Sequence, residues 1–320
     1  MQRILTVLLA LLTFSVSAEQ ASGNADAWLE RMSQALNEKQ FKASMVHLQT
    51  NQVRPLIYLH GHQDGEHLAF MDHLNGPFKS AVRIDNVVTY LEQDQPPYSV
   101  KSSRIPGLFP PIFAGDIHRL DDGYQFVLGG RSRIAARMAQ LVRIVARDEN
   151  RFSYMVWLDT ETALPLRIDM LAGEQLLDRL MVIELTLTDE PPVLLLEAAR
   201  REWPATIETP SVATEANWHF GWLPDGFKET VRDQHRLFGA NEAVEYVSVS
   251  DGMVQISVYL AVAGQVELPE HITHNNGTAI ATARHGELEV VAIGKVPADT
   301  LHQIALNIRP GDKTEAQSQP

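Results

Sequence analysis

Four histidines lie close together in the first third of the chain and are the first candidates for chemistry. They are His60, His62, His67 and His73. If residues 60–62 form a strand, His60 and His62 point to the same face, an arrangement that a zinc ion could use. No Asp or Glu has an obvious ligand spacing with them, so exposed histidines are the favoured interpretation and no metal is expected.

Asp159 and Glu161 form a close carboxylate pair that could supply an acid and a base. They occur in the run Asp159-Thr160-Glu161-Thr162, where Asp and Thr are typical of a reverse turn. Glycoside hydrolysis would need a second carboxylate across a cleft, and no such residue is evident in the sequence. The turn interpretation is therefore favoured over catalysis.

Other motifs offer no reacting group. The run Gly129-Gly130, followed by Arg131 and Arg133, lacks the spacing of a phosphate-binding loop and predicts a bulge or bend. The sequence has no G-x-S-x-G and no H-E-x-x-H pattern. We therefore predict no catalytic residues and no cofactor, and a binding or regulatory role instead of an enzyme.

The N-terminus predicts an exported protein, and the composition excludes several kinds of chemistry and partner. Arg3, the apolar run Ile4–Val16 and the small residues around Ala18 are typical of a signal peptide, so cleavage after Ala18 is expected. The chain has no Cys, which excludes disulfides and thiolate catalysis. Its formal charge of −13 argues against nucleic-acid binding, which requires clustered Lys and Arg.

The stretch Leu141–Met170 predicts three consecutive antiparallel strands and is the centre of the predicted fold. Because strand residues alternate between faces, Tyr154 and Val156 point one way and Trp157 the other. Both faces are apolar, so one is expected to be covered and the other to line a core or a pocket. The sequence leaves open which face is which.

Alternating patterns extend this sheet in both directions. An amphipathic helix is predicted at Asp26–Gln40, with Trp28, Met32, Ala35 and Leu36 as its apolar stripe. Candidate strands are Phe41–Thr50, Arg54–His60, Glu66–His73, Ala81–Ile84, Val87–Leu91, Tyr124–Leu128, Ser132–Ala136 and Leu176–Thr188. The close spacing of these strands, without intervening helices, is typical of an antiparallel sandwich or barrel.

Two segments between these strands lack a regular pattern. Gln93–Ile105 is rich in Pro and Ser and predicts a loop. Ile105–Leu120 is apolar but interrupted by three prolines and two glycines, so it must be either buried or a lid. In the last strand, Leu177, Met181 and Ile183 are predicted to share one face.

The second half of the chain predicts a smaller domain. Asp189–Thr214 is rich in proline and predicts a linker, with a short helix at Val193–Arg201. Hairpins are predicted around Ser250-Asp251-Gly252 and His285-Gly286, and a helix at Pro297–Ile308. The polar tail after Arg309 is expected to be disordered.

Several short runs along the chain together carry a resemblance to a known family. In the first half they are Gly130-Arg131-Ser132-Arg133-Ile134-Ala135, Val142–Asp148, Arg151-Phe152-Ser153-Tyr154, Trp157–Glu161 and Leu164-Pro165-Leu166-Arg167. In the second half they are Trp222-Leu223-Pro224-Asp225-Gly226-Phe227, Ser250-Asp251-Gly252 and Ile293-Gly294-Lys295-Val296-Pro297. In this order and spacing, these runs resemble the MucB/RseB family of periplasmic regulators.

The resemblance implies an α+β, β-rich fold with two domains. The first would be an unclosed antiparallel β-barrel similar to LolA and LolB, and the second a smaller α/β domain. The expected division is a signal peptide at 1–18, the half-barrel at 24–190, a linker at 191–214, the second domain at 215–309 and a disordered tail at 310–320.

The resemblance also implies a function in the periplasm. The protein would be a negative regulator of an alternative sigma factor, binding the periplasmic part of an RseA/MucA-like anti-sigma factor and shielding it from regulated proteolysis. Lipopolysaccharide, or the acyl chains of mislocalised lipoprotein, would cause release. The alternative is a periplasmic carrier of lipid or lipoprotein, and a homo-oligomer is also open.

An apolar concavity or lid follows from this resemblance as a hypothesis. Its expected members are Leu108, Phe109, Ile112, Phe113, Trp157, Ile168 and Ile183. The competing interpretation for each of these side chains is a closed, well-packed core.

Overall fold

The computed structural model describes residues 25–49, 52–207, 218–235, 244–262, 271–273 and 276–310. The predicted signal peptide and the predicted tail beyond residue 310 lie outside this part of the chain. The helices within it are all too short or too polar to span a membrane.

The chain forms two compact units. The first contains the chain up to Arg147 together with Ser153–Glu208, and the second contains Asp148–Phe152 together with the chain from Thr209.

The first unit is built on one large antiparallel sheet. Its described strands are β1 (Phe41–Gln49), β2 (Gln52–Gln63), β3 (Glu66–His73), β4 (Lys79–Ile84), β5 (Val87–Glu92), β6 (Tyr98–Lys101), β7 (Tyr124–Ile134), β8 (Arg137–Ala146), β9 (Ser153–Asp159), β10 (Pro165–Ala172) and β11 (Gln175–Leu187). They pair in the order β6-β5-β4-β3-β2-β1-β11-β10-β9-β8-β7, so that β6 and β7 are the two edges. The predicted β-rich fold with an unclosed antiparallel sheet is confirmed.

The helix α1 (residues 25–38) precedes the sheet, close to its predicted position. Its buried stripe contains Ala25, Leu29, Met32 and Leu36, which recur at helical spacing. Trp28, a predicted member of the stripe, is only half-buried, and the guanidinium of Arg31 lies 4.4 Å from the centre of its ring.

One face of the sheet can be followed across the strands by the pairing register. Tyr58 on β2 is opposite Ala43 on β1 and Met71 on β3, so these side chains share a face. On the other side of β1, Met45 is opposite Val182. The same face continues through Leu180, Ile168, Val156 and Val142 on β11, β10, β9 and β8. We call this side of the sheet the Tyr58 face, and the opposite side the Trp157 face.

The predicted alternation of β11 is wrong at its centre. A register shift between Ser44 and Met45 in the pairing with β1 changes which residues of β11 face inward. Leu180 and Val182 are buried, whereas Ile183 is 55% exposed.

A second register shift lies within β7, which replaces two predicted strands by one. Tyr124–Leu128 and Ser132–Ala136 were expected as separate strands, but β7 runs through both, with a register shift between Leu128 and Arg131. A Cβ atom on Gly129 would lie 2.7 Å from the Leu141 side chain, so this bend needs a glycine. The bulge predicted from Gly129-Gly130 is confirmed.

Two segments predicted to be irregular pack on the first sheet. The expected loop Gln93–Ile105 contains the edge strand β6. The predicted short helix is confirmed as α2 (Val193–Arg200), and its Leu195 packs with Leu59 and Leu68 on the Trp157 face. The Ile207 N–H also donates to the Ser99 carbonyl at 2.8 Å. The part of the predicted linker before residue 208 therefore belongs to the first unit.

The second unit contains two smaller sheets in its described residues. Its strands are β12 (Trp218–Phe220), β13 (Lys228–His235), β14 (Val244–Ser250), β15 (Gln255–Val262), β16 (His271–Thr273), β17 (Ala279–His285), β18 (Leu288–Gly294) and β19 (Ile308–Pro310), and its helix is α3 (Ala298–Leu306). The hairpins β14–β15 and β17–β18 and the helix α3 confirm three predictions, whereas β13, β16 and β19 were not predicted.

A buried arginine holds the turn Asp148–Phe152 within the second unit. Arg151 is 4% exposed and pairs with Asp148 at 2.9 Å and Asp251 at 3.3 Å. It also donates to the Asp225 carbonyl at 2.6 Å. These contacts satisfy a charge that would otherwise be costly to bury.

Candidate functional site

The segment Ile105–Leu120, which we call the cover segment, folds as two short 3-10 helices at Pro111–Ala114 and Ile117–Leu120. Its prolines remove backbone N–H donors and so prevent a longer helix or a sheet strand. Asp116 begins the second 3-10 helix, where its side chain accepts a hydrogen bond from the His118 N–H. The result is an apolar segment with little regular backbone hydrogen bonding.

The cover segment is fastened to α1 by a few polar contacts. Ser33 Oγ donates to the Gly115 carbonyl at 2.8 Å, and Asn37 Nδ2 donates to the Ala114 carbonyl at 3.0 Å. His118 Nε2 lies 3.0 Å from the Glu30 carboxylate, and this hydrogen bond raises the pKa of the His118 ring. These bonds are exposed to water, so each contributes modestly to closure.

The apolar side chains of the cover segment point away from water. Leu108, Ile112 and Phe113 are buried, with Phe113 fully enclosed. The half-buried Phe109 meets the Tyr58 ring edge to face, with ring centroids 5.8 Å apart and an interplanar angle of 84°. The segment therefore reaches the Tyr58 face of the sheet.

The sheet residues predicted for the concavity do not all lie together. Ile168 is on the Tyr58 face, 7% exposed, between Val156 and Leu180. Trp157 is on the opposite face, paired with Arg167, whose guanidinium lies 4.2 Å from the centre of the indole ring. Because successive strand residues point to opposite faces, Trp157 cannot line the same surface as Ile168.

The predicted grouping therefore fails for two of its seven members. Ile183 is exposed at the β11 register shift, so it too is absent from the Tyr58 face. Sequence reasoning also missed Tyr58, which forms the contact with the cover segment. The alternation of apolar and polar residues in β2 places Tyr58 on one face of the strand. It does not show which element covers that face.

One predicted surface histidine is buried instead. His60 is 3% exposed on the Tyr58 face, and its Nδ1 lies 2.8 Å from the Lys39 carbonyl oxygen. Burial is the main reason that its pKa is lowered to about 4, so the ring is neutral near pH 7. Its aromatic neighbours are Phe41 at 5.5 Å and Tyr58 at 6.4 Å between ring centroids.

The other members of the histidine cluster differ from His60. His62 and His67 are exposed and face each other across β2 and β3, and His73 is half-buried. Among the described residues, the structure brings together no group of three or more His, Cys, Asp or Glu side chains suited to a metal ion.

The carboxylate pair Asp159 and Glu161 stabilises a turn. Arg137 donates to both oxygens of the fully buried Asp159 at 3.0 Å and to Glu161 at 2.7 Å. Asp159 also accepts from the Thr162 hydroxyl at 2.6 Å and its N–H at 3.1 Å. These bonds occupy both oxygens of the Asp159 carboxylate, so Asp159 serves the turn, as the favoured interpretation predicts.

Comparison with known proteins places this arrangement in a family. The family model described as the MucB/RseB N-terminal domain matches residues 24–207, and that of the MucB/RseB C-terminal domain matches residues 212–309. The sigma-E factor regulatory protein RseB of Salmonella typhimurium is 31% identical, over 95% of this chain and 96% of the relative. The protein of the same name from Escherichia coli is 29% identical, over 94% of each chain.

A solved structure has the same fold. The complex of Pseudomonas aeruginosa MucA and MucB contains a chain that matches with a TM-score of 0.73 at 23% identity, covering 90% of this chain and 99% of that one. With both family models matched in order along most of the sequence, the chain belongs to the MucB/RseB family.

Proposed function

We propose that this protein is a negative regulator of an alternative sigma factor. It binds the periplasmic part of a membrane-spanning anti-sigma factor and shields that factor from regulated proteolysis. The observation that carries the proposal is the match of both MucB/RseB domains, in order, over residues 24–207 and 212–309. Two relatives are named as sigma-E factor regulatory proteins, and the similar structure is MucB in complex with MucA, which supports the same role here.

The role is non-catalytic and is exercised in the periplasm. The one carboxylate pair that suggested catalysis is engaged by Arg137 and Thr162 in a turn. The pattern of residues 1–18 is typical of a cleaved signal peptide. An exported chain without Cys is stabilised by packing alone, since it has no disulfides.

Release of the anti-sigma factor depends on a lipid that enters beneath the cover segment. Leu108, Phe109, Ile112 and Phe113 supply the apolar side of this segment, and Ile168 lies on the same sheet face as Tyr58. Trp157 and Ile183 take no part, because neither is on that face.

The cover segment can move away from the sheet at a low cost in free energy. Its links to α1 are a few exposed hydrogen bonds, and its own backbone forms only two single-turn 3-10 helices. Segments with few regular backbone hydrogen bonds open locally at a lower free energy than the core strands and helices of a fold. The acyl chains of lipopolysaccharide or of lipoprotein would favour the open form, and the anti-sigma factor the closed one, each by its differential affinity.

Binding to the anti-sigma segment is the decisive experiment. The periplasmic segment of an RseA/MucA-like anti-sigma factor from the same organism is immobilised, and binding of the mature chain is measured by biolayer interferometry. We expect saturable binding, protection of the segment from added protease, and release by lipopolysaccharide or a diacylated lipopeptide.

A negative result would have a specific meaning. If the segment does not bind while an acyl probe does, the regulator is ruled out and the carrier of lipid or lipoprotein takes its place.

A further inference from the structure

The Tyr58 face contains a guanidinium among apolar side chains. Arg83 on β4 is opposite Ala69 on β3 and Val88 on β5, both fully buried. The same row of register partners continues through Ala69 to His60 on β2. Arg83 therefore points to the side of the sheet that the cover segment reaches.

The Arg83 side chain is half-buried, and one of its hydrogen-bond donors has no acceptor. Arg83 Nε is buried and has no hydrogen-bond partner. Within the described residues, no carboxylate forms an ion pair with Arg83 at 4.0 Å or less. A buried donor without an acceptor costs free energy and calls for a specific explanation, such as an ion or ligand that it would bind.

A second guanidinium links this position to the cover segment. Arg104, just before that segment, donates to the Pro111 carbonyl at 2.7 Å. Arg104 is an exposed residue, and both its partial desolvation and the nearby positive charge of Arg83 lower its pKa. The neighbouring His60 is neutral near pH 7, so it adds no third positive charge. Two cations thus lie close together beside an apolar surface.

We propose that Arg83 binds the anionic head group of an amphiphile whose alkyl chain lies on the Tyr58 face. The proposal rests on the lipid-dependent release described above and deepens it by assigning to Arg83 the contact with the head group, a carboxylate or phosphate joined to an alkyl chain. A guanidinium presents parallel N–H donors that match both groups, and apolar neighbours strengthen such a charged contact. Arg83 is in this sense a residue that determines ligand specificity.

The test compares three amphiphiles with the same C12 alkyl chain. They are 1-dodecanol, used below its solubility limit, and dodecanoate and dodecyl phosphate, used below their micelle concentrations. Each displaces the neutral probe 1-aminoanthracene from the mature full-length chain. We expect the two anions to bind at least about tenfold more tightly than the alcohol, the range of a charge-assisted hydrogen bond. The dodecanoate and dodecyl phosphate arms show whether a carboxylate or a phosphate is preferred.

Substitution of Arg83 should remove this preference alone. In Arg83→Gln we expect the anions to bind no more tightly than the alcohol, whose affinity stays within about twofold because the apolar surface is kept. Arg83→Lys should retain part of the preference, because it keeps the charge without the planar fork. The matched control is Arg143→Gln, which removes an exposed arginine paired with Met155 on the Trp157 face and should keep the full preference.

Two results would overturn the proposal. One is a wild-type chain that shows no preference for the anions, and the other is a preference that persists in a folded Arg83→Gln variant. Thermal unfolding monitors the fold, and loss of an unsatisfied buried donor should leave Tm unchanged or higher. The same preparations are tested for the anti-sigma segment, so that failure of head-group recognition with retained segment binding leaves the regulatory function standing.

Discussion

Phe109 of the cover segment meets Tyr58 of β2 edge to face, with ring centroids 5.8 Å apart. This contact joins an irregular, proline-rich segment to the centre of the large sheet. The Tyr58 ring is 8% exposed, and its burial raises the pKa of the phenol to about 12. The hydroxyl therefore stays protonated throughout the physiological range, and the ring offers an uncharged surface to the cover segment or to an alkyl chain.

Phe109→Asp should weaken the binding of an acyl probe. The substitution removes a half-buried ring from the apolar surface and places a carboxylate against Tyr58, so we expect an affinity loss of about tenfold. A fluorescent fatty-acid titration of the mature chain measures it. Phe78→Asp makes the same chemical change at a side chain that is 53% exposed and should have no effect. Equal binding by Phe109→Asp and wild type, with unchanged circular dichroism, would disprove a role for Phe109 in the lid.

Removal of Arg137 should strongly destabilise the first unit. Arg137→Met leaves the fully buried Asp159 without its bidentate partner, and breaking such a pair costs about 3–5 kcal/mol. Thr162 still donates to Asp159, so the lower part of this range is expected. Urea unfolding at pH 7 measures the change.

The matched control is Glu161→Gln, at the exposed partner of the same arginine. The Glu161 side chain is 78% exposed, so its loss should change stability by no more than about 0.5 kcal/mol. Similar effects of the two substitutions would show that the buried pair is not what stabilises this turn.

Adjacent glycines at the β7 bulge should respond differently to alanine. A Cβ on Gly129 would lie 2.7 Å from Leu141 atoms, so Gly129→Ala forces this packing apart and should cost about 1–3 kcal/mol. Gly130 has open space at the same position, and Gly130→Ala should be within about 0.5 kcal/mol of wild type. Thermal unfolding of the two variants compares them directly. Equal costs would mean that the bend does not depend on this close approach.

His60 should make the protein less stable in acid. Its folded-state pKa, about 4, lies below the ordinary 6.5, so the unfolded state binds the proton first as the pH falls. The loss begins near pH 6.5 and is complete near pH 4, where it reaches about 3 kcal/mol at 1.36 kcal/mol per pKa unit. Urea unfolding between pH 7 and pH 4 follows it.

Two glutamine variants isolate this contribution. His60→Gln removes the titrating group and should flatten the acid dependence. His62→Gln, at an exposed neighbour on the same strand, should leave it unchanged. An acid dependence that survives in His60→Gln would assign the effect to other groups.

Local chemistry is what made much of this fold predictable from the sequence. Period-two alternation identified Glu66–His73 with its correct limits, and turn residues identified the hairpins at Asp251 and Gly286. The pair Gly129-Gly130 predicted a bulge for the same reason. In each case the signal is the conformational preference of a few neighbouring residues. This preference does not depend on contacts with the rest of the chain.

The candidate site was only half predictable. The interrupted apolar run at Leu108–Phe113 indicated a lid or a buried loop, because no regular element accommodates so many prolines. The grouping of Trp157 and Ile183 with Ile168 was wrong, since apolarity alone does not show to which face a strand residue points. The sequence does not predict the guanidinium of Arg83 on the Tyr58 face, because an arginine in a strand is normally on the exposed side.

The sequence by itself determined most of the strands, where most of them turn, and that one apolar segment cannot be a regular element. Only the tertiary structure decided which face the cover segment reaches, where β11 shifts its register against β1, and that α2 packs against Leu59 and Leu68. The physical reason is the distance along the chain over which each interaction acts. Turn and strand preferences act between adjacent residues, whereas a change of register by one residue exchanges the two faces of a strand and is set by a partner more than a hundred residues away.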